Sequence, residues 1–308
     1  MKNKSKKLLL ILLLVVMITT GCTKTLTDSN KKAVTNKQTG QNLVENILCK
    51  PTNENTIKQY KKNNVNIDKL PNCEDFTLTT GGYEGLWESF LVKPLAFIIL
   101  KLGNLTKNYA LALIMITFLI RLVCYPFTKK TAMQSELMKK AQPEIARVQK
   151  KYENKKDEDS MMKQSQEMML IYKKYNISPM SGCLFSFLQL PLFIAFYEAV
   201  QRFPAIFEDN FLGLQLGTTP TVGFTSSTFY MYIILMILIA ITTFYSFKMN
   251  SSGQQLDPAM KNMPLYMSIM IIVTAMVMPS ALCIYWFFNN LCTILQNYLV
   301  KKDKKLKN

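Results

Sequence analysis

A single arginine, Arg121, lies within the apolar stretch "YALALIMITFLIRLVCYPF" at residues 109–127. A guanidinium group in membrane hydrocarbon costs a few kcal/mol on insertion scales, and more in some simulations, so it is rarely present without a role. The apolar cores of the predicted spans contain no carboxylate at the depth of Arg121. Its counter-charge is therefore expected to be water, a phosphate or an acidic group of a binding partner, and a structural ion pair is disfavoured.

Polar residues recur at helical spacing in three apolar stretches, and each set forms a stripe that lipid would penalise. The stripes are expected to face one another or water, which predicts a hydrated site with Arg121 as its fixed cation. The stripes comprise Thr117, Arg121 and Tyr125; Ser186, Gln189 and Tyr197; and Trp286, Asn289, Thr293 and Gln296.

Composition restricts the class of protein. The chain has 308 residues, is 49% hydrophobic and carries a net charge of +17, with no histidine. This combination is typical of several membrane spans with basic flanks. The lack of histidine removes the commonest general base and the commonest metal ligand, which argues against a conventional hydrolase or zinc enzyme. No metal, nucleotide or other cofactor site is predicted.

The N-terminus "MKNKSKKLLLILLLVVMITTGC" has a basic start, an apolar run and small residues before Cys22, as in a signal peptide. Cleavage after Gly21 would leave Cys22 for lipidation; the alternative is an uncleaved anchor helix, since Thr19 departs from the usual lipoprotein pattern. In either case the chain that follows begins outside the cytoplasm.

Hydropathy and charge together predict the membrane topology. The loop at 203–227 contains Glu208 and Asp209 and no basic residue, whereas the segment at 129–178 and the C-terminal tail are rich in lysine. The positive-inside rule then places the tail in the cytoplasm and predicts five spans. The predicted segments are signal peptide 1–21, external tether 22–83, interfacial helix 84–104, first span 105–128, cytoplasmic helical hairpin 129–178, second span 182–202, external loop 203–227, third span 228–247, cytoplasmic loop 248–263, fourth span 264–278, fifth span 281–300 and basic tail 301–308.

Two of these segments carry open alternatives. The polar tether is read as loosely folded, with Cys49 and Cys73 free to form a disulfide. The two amphipathic arms of the hairpin are expected to pack on each other or on a membrane surface. Its basic charge is either a solvated consequence of topology or a docking surface for ribosomal RNA, acidic lipid or a nascent chain.

The stretches "IRLVCYPFTKKTAMQSELMKKAQPEIARVQKKY", "MMLIYKKYNISPMSGCLFSFLQLPLFIAFYEAV" and "MPSALCIYWFFNNLCTILQNYLV" resemble the YidC membrane protein insertases. The resemblance implies an all-α integral membrane protein of the Gram-positive lipoprotein type, with a five-helix transmembrane bundle, a cytoplasmic hairpin and an external interfacial helix. It also implies a groove open to the cytoplasm and to lipid, with Arg121, Gln189 and Trp286 at the family's groove positions. Residues 23–82 are longer than the family leads us to expect.

The expected function is therefore insertion and chaperoning of membrane proteins in the bacterial cell membrane, without nucleotide hydrolysis or enzymatic catalysis. The implied partners are nascent membrane protein clients, membrane lipids, the ribosome and, as a further possibility, the Sec translocon, with the protein itself a monomer. The alternatives are a small transporter or channel, which should have a titratable carboxylate in its spans, and a membrane-bound transferase, which should have a general base.

Overall fold

The computed structural model describes residues 23–155, 157–178, 181–251 and 262–305. The predicted signal peptide and Cys22 lie outside these residues. The chain divides into two compact units. The first contains residues 23–117, Gln189–Ile237 and Thr274–Trp286, and the second contains the rest of the described chain.

The described chain is mostly helical, with a short antiparallel pairing of β1 and β2 and, within residues 25–44, three isolated β-bridges. The elements, in chain order, are α1 (Glu54–Lys62), a π-helical turn (Glu88–Val92), α2 (Lys93–Thr106), α3 (Tyr109–Tyr152), α4 (Glu158–Lys174), α5 (Ser181–Arg202), α6 (Pro204–Phe207), β1 (Asn210–Phe211), β2 (Leu214–Gln215), α7 (Pro220–Gly223), α8 (Phe229–Ser251), α9 (Met263–Met276) and α10 (Ser280–Lys305).

Within the described chain, three helical stretches are long and apolar enough to cross a membrane, and α9 is a shorter apolar helix. The three stretches are Glu88–Thr106, Tyr109–Tyr152 and Phe229–Asn250. Helices α5, α8, α9 and α10 lie over the predicted second, third, fourth and fifth spans, whereas α3 covers most of the predicted first span and continues far beyond its predicted end at residue 128. The number of spans and the segment boundaries remain predictions.

The prediction that residues 22–83 form a loose tether is wrong for the described part of that segment. Residues 23–83 form a folded module, hereafter the N-terminal module, which includes α1 and a disulfide between Cys49 and Cys73. Its small apolar core was missed because the contributing residues are scattered through polar sequence rather than periodic. They are Leu26, Leu43, Val44, Ile47, Tyr60 and Ile67.

The predicted interfacial helix at 84–104 corresponds to the π-helical turn followed directly by α2. The charged side chains of Glu88 and Lys93 supported an interfacial position, yet they are 1% and 0% exposed. Lys93 Nζ donates to the carbonyls of Thr80 and Gly82, at 2.8 and 2.6 Å. These charges are therefore matched within the protein, and their presence does not decide whether this stretch lies along a membrane or crosses it.

Helix α2 ends where Lys107 adopts a left-handed backbone conformation with φ of 53°. Gly103 permits this sharp turn because a Cβ there would lie only 2.2 Å from the ring of Tyr109. The carboxylate of Asp209 then accepts the backbone N–H of Tyr109 at 2.6 Å. An anion at a helix N-terminus is favourable, so the acidic loop fixes the start of α3.

Glu208 binds the backbone just before α1. Its Oε2 accepts the backbone N–H groups of Thr52 and Asn53, at 2.8 and 3.1 Å, and the Thr52 hydroxyl at 2.7 Å. The two acidic residues of the predicted external loop therefore bind the start of α3 and the backbone just before α1. They hold the N-terminal module and α3 to the loop.

The predicted hairpin is present but does not start as a separate helix. Helix α3 continues through Pro126 and Pro143 without a break, for 44 residues. Pro143 does not end the helix, because packing of this part of α3 against α4 offsets the hydrogen bond that a proline cannot donate. Residues 153 and 154 turn the chain at the end of α3, and the apolar core shared by α3 and α4 comprises Met138, Ala141, Ile145, Ile171 and Ile177. The hairpin arms were expected to pack on each other or on a membrane surface, and packing on each other is observed.

Candidate functional site

Arg121 lies in α3 with only 9% of its surface exposed. Its Nε donates to Oδ1 of Asn289 at 2.8 Å, and its Nη2 donates to the Asn289 carbonyl at 3.0 Å and to Oγ1 of Thr293 at 2.9 Å. All three acceptors belong to α10. The guanidinium is therefore positioned by one turn of a neighbouring helix, and these three partners are uncharged.

The spacing of Asn289 and Thr293 explains why one side chain reaches both. Residues four apart lie above one another on a helix face. Thr293 also donates its hydroxyl to the Asn289 carbonyl at 3.0 Å, which leaves a lone pair for Arg121. The spacing of Asn289 and Thr293 thus places acceptors on one face of α10 where a single guanidinium can bind them all. It orients the charge while leaving it formally uncompensated by these groups.

A second polar face of α10 was missed in the sequence. Asn290 Nδ2 donates to Oγ1 of Thr243 at 2.8 Å, and Asn297 Nδ2 donates to Oδ1 of Asn250 at 3.2 Å. The spacing of seven between the two asparagines was the available signal, since it marks one face of a helix. These bonds join α10 to α8 and fix the rotation of the helix that carries Asn289 and Thr293.

Gln296 lies three residues beyond Thr293 on the predicted polar stripe. Its Nε2 is buried and donates to no group among the described residues. A buried amide without a partner costs about 1–3 kcal/mol. This donor is therefore available to a polar ligand or to water.

The first unit contains two further predicted site residues. Gln189 Nε2 donates to the Tyr285 hydroxyl at 2.5 Å, and the ring of Trp286 packs against Phe193 with centroids 5.1 Å apart. Thr117, which shares a predicted stripe with Arg121, instead donates to the carbonyl of Leu113 in its own helix at 2.6 Å. The side chain of Ser186 lies outside the described part of the structure.

The structure thus joins Arg121, Asn289 and Thr293 into one hydrogen-bonded site. It gives Gln189 and Trp286 aromatic neighbours. Their membership in the same groove is a prediction. Among the described residues, no group of three His, Cys, Asp or Glu side chains is arranged to hold a metal ion.

The known proteins that are similar to this chain agree on one family. Residues 101–307 match the family described as the 60Kd inner membrane protein. The chain is 35% identical over 225 residues to membrane protein insertase YidC 2 of Listeria innocua, covering 72% of this chain and 75% of the relative. It is 36% identical over 224 residues to membrane protein insertase MisCA of Bacillus subtilis, covering 72% and 82%.

A solved structure of an active YidC insertase, with its first transmembrane domain resolved, has a TM-score of 0.52 and 23% sequence identity. The match covers 79% of this chain and 52% of that one, so this chain spans about half the length of the solved protein. At this identity the likeness shows the fold alone. The N-terminal module lies outside the family match, which begins at residue 101. The extent of that match, together with the Listeria and Bacillus relatives, places this chain in the YidC family of membrane protein insertases.

Proposed function

We propose that this protein inserts membrane proteins and assists their folding, with Arg121 as the group that attracts the translocated part of a client. The observation that carries the proposal is the buried guanidinium in an apolar helix, held at three points by the uncharged groups of Asn289 and Thr293. Such a site binds anionic or polar groups at a depth where lipid offers no solvation.

The proposed role of Arg121 is electrostatic. Two opposite charges 4 Å apart attract by about 1 kcal/mol in water and about 4 kcal/mol at an effective dielectric constant of 20. An acidic residue of a client would therefore be drawn toward Arg121 more strongly inside the protein than at its surface. The polar groups along α10 would shorten the purely apolar path that the client segment must cross. No nucleotide hydrolysis and no catalytic residue are needed for this.

Asn289 and Thr293 would act as positioning residues. Their acceptors occupy Nε and Nη2 of Arg121, which fixes the plane of the guanidinium. Because both are neutral, they hold the side chain without cancelling its charge. Gln189, Trp286 and Gln296 are proposed to line the same client-binding groove.

The proposal includes a topology. The protein would be a multi-pass protein of the bacterial cell membrane with its N-terminus outside, its C-terminus in the cytoplasm and Cys22 lipidated. The lysine-rich α4 and the exposed face of the hairpin would then be cytoplasmic. Lys163 and Lys173 are exposed there, which suits weak, salt-sensitive binding to ribosomes or acidic lipids. We further propose that the protein acts as a monomer, with the Sec translocon as an optional partner.

The first experiment uses matched clients that carry either Asp or Asn in the translocated segment. Integration is measured in proteoliposomes at equal amounts of wild-type protein and Arg121→Ala. The Asp client should lose the larger fraction of integration, because the lost interaction is Coulombic. Arg121→Lys should retain most activity toward the Asp client. Equal losses for the Asp and Asn clients would contradict the electrostatic role.

A second variant separates the effect of the Arg121 charge on clients from the effect of Arg121 on helix packing. Asn289→Asp keeps the size of the side chain and the acceptor for Arg121 Nε, but it places a carboxylate against the guanidinium. If the charge serves clients, this variant should stay folded and yet resemble Arg121→Ala toward the Asp client. If Arg121 only joins α3 to α10, the added ion pair should leave integration unchanged.

A further inference from the structure

The short β-hairpin within the 203–227 loop carries a leucine in an unfavourable backbone conformation. Strands β1 and β2 pair Phe211 with Leu214, which leaves Leu212 and Gly213 as a two-residue turn. Both turn residues have positive φ, 51° for Leu212 and 80° for Gly213. A turn of this kind favours asparagine or aspartate before glycine, and a bulky side chain at positive φ is an outlier. The turn itself therefore gives no reason for a leucine at this position.

Packing within the described chain gives no reason either. The Leu212 side chain is 66% exposed, whereas the next two leucines along the chain, Leu214 and Leu216, are 5% and 0% exposed. The segment therefore buries its other leucines and leaves Leu212 on the surface. An exposed apolar side chain and a strained backbone both cost free energy, and the combination points to a contact outside the chain.

The turn lies beside the starts of two helices, α3 and α8, that are long and apolar enough to cross a membrane. Nδ2 of Asn108, just before α3, donates to the Asn210 carbonyl at 3.0 Å. Oγ1 of Thr228, just before α8, donates to the Gly213 carbonyl at 2.9 Å. A Cβ added at Gly213 would lie 4.0 Å from Cγ of Met231, in the first turn of α8. The hairpin is thereby held level with the first turn of a helix that enters the membrane.

The chain that flanks the hairpin contacts is also apolar and exposed. Leu105, in the last turn of α2, is 78% exposed, and Phe229 and Tyr230, in the first turn of α8, are 48% and 52% exposed. Lys107, which comes just before Asn108, is an exposed cation. Aromatic rings at the end of a span, with a cation nearby, are typical of the boundary between lipid tails and headgroups. These residues therefore indicate that lipid surrounds this end of the two helices.

We propose that Leu212 inserts into the leaflet on the side of the 203–227 loop, at the boundary between headgroups and acyl chains, and anchors the hairpin there. The occupant of this surface is lipid because the turn is held at the level where α8 enters the membrane. Transfer of the leucine side chain from water into lipid offsets the strain of its backbone. This leaflet is the outer one under the topology given with the proposed function, and only the choice of leaflet rests on that topology.

The anchor would also fix the acidic loop relative to the membrane. Asp209 and Asn210, at the start of the hairpin, bind Tyr109 and Asn108 at the start of α3. Insertion of Leu212 would therefore set the depth at which α3 enters the bilayer.

Depth-dependent quenching of tryptophan fluorescence tests the insertion. Leu212→Trp is made in a chain whose two native tryptophans, Trp87 and Trp286, are replaced by phenylalanine, and the full protein is placed in lipid nanodiscs. Lipids brominated near the headgroup end of their acyl chains should quench this tryptophan more than lipids brominated near the methyl end. Asn30→Trp, in an exposed polar turn of the N-terminal module, is the control and should be quenched by neither lipid.

A substitution that suits the turn keeps the test independent of misfolding. Leu212→Asn creates the Asn-Gly sequence that this turn favours, so the hairpin should stay folded. If lipid anchors Leu212, amide hydrogen exchange of residues 209–216 in nanodiscs should be faster in this variant than in the wild type. If Leu212 only strains the turn, relief of that strain should leave the exchange unchanged or make it slower.

Two results would overturn the proposal. One is a Leu212→Trp signal that the headgroup-end lipid quenches no more than the methyl-end lipid, which includes the case of a tip in water or against a protein. The other is unchanged or slower exchange in Leu212→Asn. Neither measurement involves integration of a client, so its failure leaves the proposed function untouched.

Discussion

The two buried arginines of this protein are held in opposite ways. Arg202, at the end of α5, is fully buried and forms ion pairs with Glu84 and Glu88 of the same chain. Arg121 is held by the amide of Asn289 and the hydroxyl of Thr293, together with a backbone carbonyl. One guanidinium is embedded in carboxyl groups, and the other is fixed by neutral acceptors.

This difference indicates the role of each arginine. Breaking a buried ion pair leaves an uncompensated charge, so such a cluster makes the architecture dependent on every member. Neutral hydrogen bonds orient a charge without cancelling it, which suits a group that must attract something from outside the chain. The arrangement around Arg202 therefore indicates structure, and that around Arg121 supports the proposed role toward clients.

The largest expected effect comes from removing Arg202. Arg202→Ala should lower the free energy of unfolding by roughly 3–5 kcal/mol, because Glu84 and Glu88 lose their counter-charge in a buried site. Thermal unfolding in nanodiscs measures this, with Arg147→Ala, an exposed arginine, as the control. If both variants unfold alike, the cluster is not a stabilising element.

The disulfide should have the next largest effect. Cys49 and Cys73 are separated by 24 residues, and replacing both with alanine should cost about 2–4 kcal/mol of module stability. The carbonyl of Asn46 and the N–H of Leu48 bind Arg202, and the Trp87 indole donates to Glu198 on the same helix. Loosening the module should therefore also change the fluorescence of Trp87, measured in a Trp286→Phe variant that leaves Trp87 as the one tryptophan. An unchanged spectrum would show that the Arg202 cluster holds together without the module.

Removing Arg121 should destabilise the protein less. Arg121→Ala leaves the acceptors of Asn289 and Thr293 without their donor, which costs about 1–3 kcal/mol. Its thermal unfolding should therefore lie between wild type and Arg202→Ala, while integration of acidic clients falls sharply. A loss of stability equal to that of Arg202→Ala would make the two arginines structurally equivalent and would remove the contrast drawn above.

The smallest effect is expected at exposed pairs of the hairpin. Lys151 Nζ and the Tyr152 hydroxyl bind Glu167 Oε1, at 2.6 and 2.9 Å, and these partners lower the pKa of Glu167. The stabilisation is present above the ordinary Glu pKa and is lost as pH falls through the lowered value. Glu167→Gln should weaken this acid dependence slightly in circular dichroism, with Glu158→Gln as the control. A large effect would contradict the view that solvated pairs matter little.

Much of the fold was predictable because a bilayer constrains the length and the polarity of every segment that crosses it. Apolar length and the distribution of lysine predicted helices close to those observed for α5, α8, α9 and α10, but not that α3 runs on from the predicted first span into the hairpin. The spacing of Asn289 and Thr293 predicted a polar face that does hold Arg121. The N-terminal module was missed since its core residues are scattered, and no bilayer constraint makes such a core visible in hydropathy.

The sequence by itself determined the helical class, the basic flanks, the family and the candidate arginine, because each depends on residue type and on spacing along one helix. Only the tertiary structure decided which groups bind each buried arginine. Glu84 and Trp87 lie 118 and 111 residues from their partners on α5, and the separation of Glu88 from Arg202 falls between these two values. Periodicity carries no information about pairs so distant. Packing alone brings them together, and packing made one arginine structural while giving the other neutral partners.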